Sequence, residues 1–202
     1  MVEGPSDGDS LGVLLNRLYK DEAVYIHVMH CDITTKNGVN ATNIYTKVGD
    51  EVKEYAKLNK FKDSDFKEII HIVDTDGAYI PDESIVEDKT HQQAFYTCSQ
   101  ILIDHREKII RRNEQKRENI DKLCACNFIR KSIPYHVFYM SCNLDHVLYN
   151  KLNSSDAEKE ADAYGFSKKY RDDLCGFITY MSTSDFSVTT NYRDSWRFIK
   201  QD

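Results

Sequence analysis

In two places an apolar, strand-like run of this chain ends on carboxylates: Val2-Glu3-Gly4-Pro5-Ser6-Asp7, and Ile72-Val73-Asp74-Thr75-Asp76-Gly77. Each puts acids where a strand gives way to a turn. A fold that joins the two turns clusters four acidic groups at one sheet edge. Bare like charges repel and raise each other's pKa, so carboxylates gather at that density mainly to hold hard cations. The pattern therefore asks for a fold in which strand ends meet, and it points to a divalent-metal site.

The surrounding sequence supplies such a fold. Pro5 suits a first helical position and Asp7 a first turn. Leu11, Leu14, Leu15 and Leu18 then share one helical face, which predicts a helix to about Tyr19. Residues 23–33 are apolar and β-branched and read as a buried strand. Residues 34–40 are a turn-rich loop. Residues 41–60 predict a second helix with Ile44, Val48, Val52, Tyr55 and Leu58 as its stripe, and residues 66–73 a strand ending at Asp74. This alternation marks βαβ units and a mostly parallel sheet. Ligands of such sheets bind outside the carboxyl ends of the strands, where Glu3 and Asp74 fall. If the strand continues, Asp74 and Asp76 face the same way, about 6.5 Å apart.

Further along, residues 78–90 read as an exposed acidic loop and residues 91–131 as two helices. Pro134 precedes a strand over 135–140. Asn143 is placed to cap a helix bearing Leu144, Val147, Leu148 and Leu152. Ser154, Ser155 and Asp156 can start another, and shorter helices are expected around 168–181 and 195–200. No internal repeat is present.

A chain of 202 residues is most simply one domain. Its 41% hydrophobic content provides a core and its 30% charged content a solvated surface. No apolar run approaches the roughly 20 residues that cross a bilayer. The acidic opening does not resemble a signal peptide, so no membrane association and a cytoplasmic location are expected. The six cysteines lack paired metal-ligand spacing and read as reduced thiols, some of them core residues. His27, His30 and His71 lie in apolar runs and read as core or sheet residues; His146, beside Asp145, is the one histidine worth testing. The net charge of −6 excludes a global basic field. Residues 104–131 are the exception: nine Lys and Arg against five acids give +4 there, leaving −10 elsewhere. A basic helix on an acidic body can receive a phosphate backbone, with Arg111 and Arg112 as candidates. A solvated helix face is the plainer reading.

A strand ending in Glu-Gly with an acid four residues after the Glu, then a strand ending in Asp-x-Asp, resembles the Toprim pattern of topoisomerases, bacterial primases and OLD-type nucleases. Val2-Glu3-Gly4-Pro5-Ser6-Asp7 is most similar to the OLD branch and the related abortive-infection proteins. Ser141-Cys142-Asn143-Leu144-Asp145-His146 resembles, more weakly, the step where relatives place another acid before an apolar helix. The likeness covers roughly residues 1–80 and 134–152. It implies a Toprim-like (Rossmann-like) α/β domain over residues 1–202, with flanking helices and a basic helical insertion at about 91–131. Two departures stand out: only Met1 and Val2 precede the Glu, and the basic residue near the scissile phosphate has two candidates, Lys36 and Lys151.

By this resemblance Glu3, Asp7, Asp74, Asp76 and Asp145 are the metal-binding and catalytic residues, with Mg²⁺ or Mn²⁺ as cofactor. Lys36, Arg111 and Arg112 are the candidates for nucleic-acid contact. The implied activity is metal-dependent cleavage of phosphodiester bonds in DNA or RNA, tRNA included, as the effector of an anti-phage abortive-infection system. The chain carries no P-loop, so a separate ATPase partner is expected. The oligomeric state stays open. One alternative is a non-catalytic Toprim scaffold regulated by that ATPase. Another is nucleotidyl transfer of the primase kind.

Overall fold

The computed structural model describes residues 1–19, 23–140 and 142–183. Among them the chain forms a mixed α/β structure with two small sheets and six helices. The elements in order are α1 (Pro5–Leu18), α2 (Ile44–Asn59), β1 (Ile69–Asp74), β2 (Ile85–Glu87), β3 (Phe95–Tyr96), β4 (Ile101–Ile103), α3 (Arg106–Cys124), β5 (Phe128–Ile129), β6 (Ile133–Met140), α4 (Leu144–Tyr149), α5 (Asp156–Tyr170) and α6 (Leu174–Thr183). No helix among the described residues is long and apolar enough to cross a membrane.

The main sheet is built on β1 and β6, which run parallel from Ile69↔Tyr135 to Asp74↔Met140; β5 pairs with β6 antiparallel. Residues 1–3 add to the other edge of β1. Ile72 N–H donates to the Met1 carbonyl and the Met1 nitrogen to the Ile70 carbonyl. Val2 in turn bridges Val28 in parallel. The short opening segment thus lies between β1 and residues 27–29. The strand expected over 23–33 shrinks to this one bridge.

Helices cover both faces. On one, Ile69, Val73, Tyr135 and Val137 pack with Ile44, Val48 and Val52 of α2 and Ile120 and Leu123 of α3. On the other, Ile72 meets Leu11 and Leu14 of α1, Leu144, Val147 and Leu148 of α4, and Phe166, Tyr170 and Phe177. Helix α1 approaches residues 26–28 closely through Gly8 and Gly12, where an added Cβ would lie 3.3 Å from Ile26 and Val28 carbons. The α2 stripe ends early. Leu58 is 79% exposed, because the helix stops at Asn59 with Lys60 in the left-handed conformation.

Residues 78–131 differ most from expectation. The stretch read as an acidic loop and two helices contains a second sheet, ordered β2-β4-β3, followed by one helix, α3. Ile85, Ile101, Ile103 and Ile109 form its own small core. Strands of two or three residues are too short to show a period of two in sequence. The cysteines follow the reading in part, with Cys31, Cys124 and Cys126 packed against the main core. All six are free thiols, but Cys98 and Cys175 are exposed and the other four only half-buried. The expected helices downstream resolve into α5, α6 and a final segment at 195–200 that lies outside the described residues. Asn143 and Ser155 cap α4 and α5, accepting from His146 N–H and Glu158 N–H.

Candidate metal centre

The carboxyl ends of residues 27–29, residues 1–3, β1 and β6 open on one cleft of about 350 Å³. Glu3 and Asp7, at the start of α1, line it together with Asp74 at the end of β1 and Asp145 in the first turn of α4. His30, Cys31 and Asp32 form a further wall, and Lys159 of α5 contributes a cation. Four of the five expected acids therefore share one cleft, from three separate parts of the sequence. Among the described residues, no three His, Cys, Asp or Glu side chains converge closely enough to grip an ion as they stand.

Backbone amides hold several of these acids. Gly4 N–H donates to Asp7 Oδ2 at 2.8 Å, which makes Asp7 both a capping group and a cleft wall. Asp74 N–H donates to Glu3 Oε1 at 3.4 Å, and Leu144 N–H donates to Asp74 Oδ1 at 3.1 Å. The second bond ties the end of β1 to the start of α4. Asp145 is 7% exposed and lies 3.8 Å from Lys159 Nζ.

Burial and mutual repulsion raise the proton affinity of this group. Desolvation pushes Glu3 up to about 8; Lys116 opposes the shift, while Asp32 and Asp76 add to it. Asp74 is raised well above the carboxylate range by burial, then by Glu3, Asp76 and Asp7. Burial also raises Asp7 and Asp145.

Asp76 stands apart. It is not among the residues lining the cleft. Its φ of 48° and Gly77's of 66° turn the chain away from the strand geometry that would have set Asp74 and Asp76 side by side. Its amide donates to the Cys142 carbonyl at 2.6 Å, and its own carbonyl accepts from Arg112 Nη2 at 2.7 Å. Its carboxylate meets Lys116 Nζ at 2.5 Å.

The basic candidates divide. Arg112 is spent on structure, reaching Asp76, Asn113 and the Tyr96 hydroxyl. Arg111 is exposed on α3. Lys36 pairs with Glu51 at 3.7 Å, and Lys151 with Asp162 at 2.5 Å. His71 is fully buried as expected, whereas His30 is exposed at the cleft with a φ of 56°. His146 lies on α4, outside the cleft lining.

Sequence reasoning missed Asp32, Lys116 and Lys159. Asp32 had a signal: it closes the apolar run 23–33 as Asp74 closes its own. Lys116 had a subtler one. It falls in the stripe Ile109, Asn113, Lys116, Ile120, Leu123, which the helix buries. Compared with protein-family models, with curated proteins and with solved structures, the chain finds no match.

Proposed function

We propose that this chain is a Toprim-like, divalent-metal-dependent hydrolase of phosphodiester bonds. One observation carries the reading: Glu3, Asp7, Asp74 and Asp145, separated in sequence, line a single cleft at the carboxyl ends of parallel strand segments. The donor set suits the ion. It is rich in carboxylate oxygen, which selects hard cations, and Mg²⁺ typically takes only one or two carboxylates and keeps its waters. A ring of acids around a cleft answers that need without a tight cage. Glu3, Asp7, Asp74 and Asp145 would hold the ion. When bound, it supplies Lewis-acid stabilisation to the phosphodiester and to the attacking water.

The chain's own groups do the rest. Leu144 N–H and Asp74 N–H fix the orientation of the Asp74 and Glu3 carboxylates. Lys159, paired with Asp145, is placed to meet a phosphate oxygen entering the cleft. Arg111 offers an exposed cation on α3 for the backbone of a nucleic acid. An anti-phage role beside an ATPase rests on the resemblance of residues 2–7 and 72–77 to the OLD branch; repeated pull-downs that recover no ATPase would count against it.

The test is cleavage of plasmid, single-stranded DNA and total tRNA with Mg²⁺ or Mn²⁺, by wild type, Glu3→Ala and Asp74→Ala. Metal-dependent cutting that both variants lose by at least about a hundredfold supports the reading, since each removes an acid from the proposed set. No cutting by folded wild type, with metal still bound, favours the non-catalytic scaffold.

A further inference from the structure

We propose that Lys116 is a built-in cation that occupies the Asp32 and Asp76 carboxylates, so that the cleft takes a single divalent ion. The inference rests on the proposed metal-dependent function and names the stoichiometry of that site.

Lys116 lies in the middle of α3 with no solvent exposure. Its Nζ is 2.9 Å from Asp32 Oδ2 and 2.5 Å from Asp76 Oδ2. A buried ammonium survives only where carboxylates offset its desolvation, and here two do. Asp32 has nothing left to give. Oδ1 accepts from Thr34 N–H at 2.8 Å and from the Thr34 hydroxyl at 2.5 Å, while Oδ2 accepts from the Thr35 hydroxyl at 2.6 Å and from Lys116. Four donors fill the roughly four lone-pair sites of a carboxylate.

Asp76 is held as firmly by its backbone. Its amide is bound to Cys142 and its carbonyl to Arg112, so its side chain is presented to α3. Two ions about 3.5–4 Å apart would each need oxygen ligands of their own. Asp76, one of the acids the sequence offers as a metal ligand, already holds an ammonium. Lys116 thus acts on the cleft through Asp76 and Asp32, as a positioning residue; it does not line the cleft itself.

The experiment counts Mn²⁺ bound per full-length chain, by electron paramagnetic resonance titration and native mass spectrometry. Wild type binds one ion. Asp32→Asn, which keeps the shape and removes the charge, still binds one. Lys116→Ala frees both carboxylates, and the count rises to two. A wild-type count of two overturns the inference and leaves the metal reading standing. A wild-type count of none overturns the metal reading, and this inference with it. Loss of the ion in Asp32→Asn makes Asp32 a ligand and overturns the inference. A folded Lys116→Ala that still binds one ion overturns the inference; if that variant does not fold, Lys116→Met, which keeps the apolar stem and removes the charge, is counted in its place and read the same way.

Discussion

The His71 ring meets the Tyr135 hydroxyl at 2.6 Å across the paired strands β1 and β6, with His71 Nε2 buried and, among the described residues, without a hydrogen-bond partner. Burial, aided by nearby positive charge, drives the His71 pKa down to about 3, so the ring is neutral in the folded protein. The unfolded chain takes up the proton near pH 6.5 and the folded chain refuses it. Stability is therefore lost as pH falls from about 6.5 towards 3, by up to about 1.4 kcal/mol per pH unit from this group. Urea denaturation at pH 6.5 and 5 should show His71→Phe with a smaller acid loss than wild type. Parallel curves for the two proteins would refute it.

The acids of the cleft titrate with the opposite sign. Glu3 is raised to about 8 by burial, with Lys116 opposing and Asp32 and Asp76 adding, and Asp74 is raised as well. A carboxyl whose folded pKa is raised contributes stability below its unfolded pKa and loses it as pH climbs through the folded one. Without divalent cation, stability should fall between about pH 4.5 and 8 from these groups. Mn²⁺ binds the deprotonated forms, so it should raise the melting temperature more at pH 8 than at pH 5. Equal shifts at both would contradict a site built on these carboxylates.

Neighbouring arginines on α3 should behave differently. Arg112 anchors the turn after β1 through the Asp76 carbonyl and the Tyr96 hydroxyl. Arg112→Ala should cost about 1–3 kcal/mol of stability, the usual loss when charged hydrogen bonds are removed. Arg111 is exposed. Arg111→Ala should leave stability within about 0.5 kcal/mol of wild type and reduce the salt dependence of nucleic-acid binding by about one unit of slope. Denaturation and anisotropy titrations at several salt concentrations separate the two. A stable Arg112→Ala with weakened binding would reverse the assignment.

Where local chemistry governed, the sequence was legible. The leucines of α1, the stripe of α2, β1 and β6, and the Asn143 and Ser155 caps announce themselves within a few residues, and so do the acids at strand ends. What stayed hidden depends on partners distant in sequence. Lys116 counts as one more basic residue until α3 is laid against Asp32 and Asp76, far upstream. Asp76 reads as the twin of Asp74 until its left-handed backbone turns it to another partner. Strands β2, β3 and β4 exist because they pair with one another, not because each carries a pattern.

The parallel pairing of β1 with β6 sets an order of events during synthesis. A chain growing from its amino end carries Glu3, Asp7 and Asp74 while β6, Asp145 and Lys159 are still unmade. Strand β1 gains its β6 partner only when residues 133–140 are made, and the Tyr149 hydroxyl, 2.6 Å from Ser10 Oγ, fastens α4 to α1 only afterwards. Contacts of such long sequence separation form slowly. The cleft therefore takes shape only after the segment that carries Asp145 and Lys159 has been made.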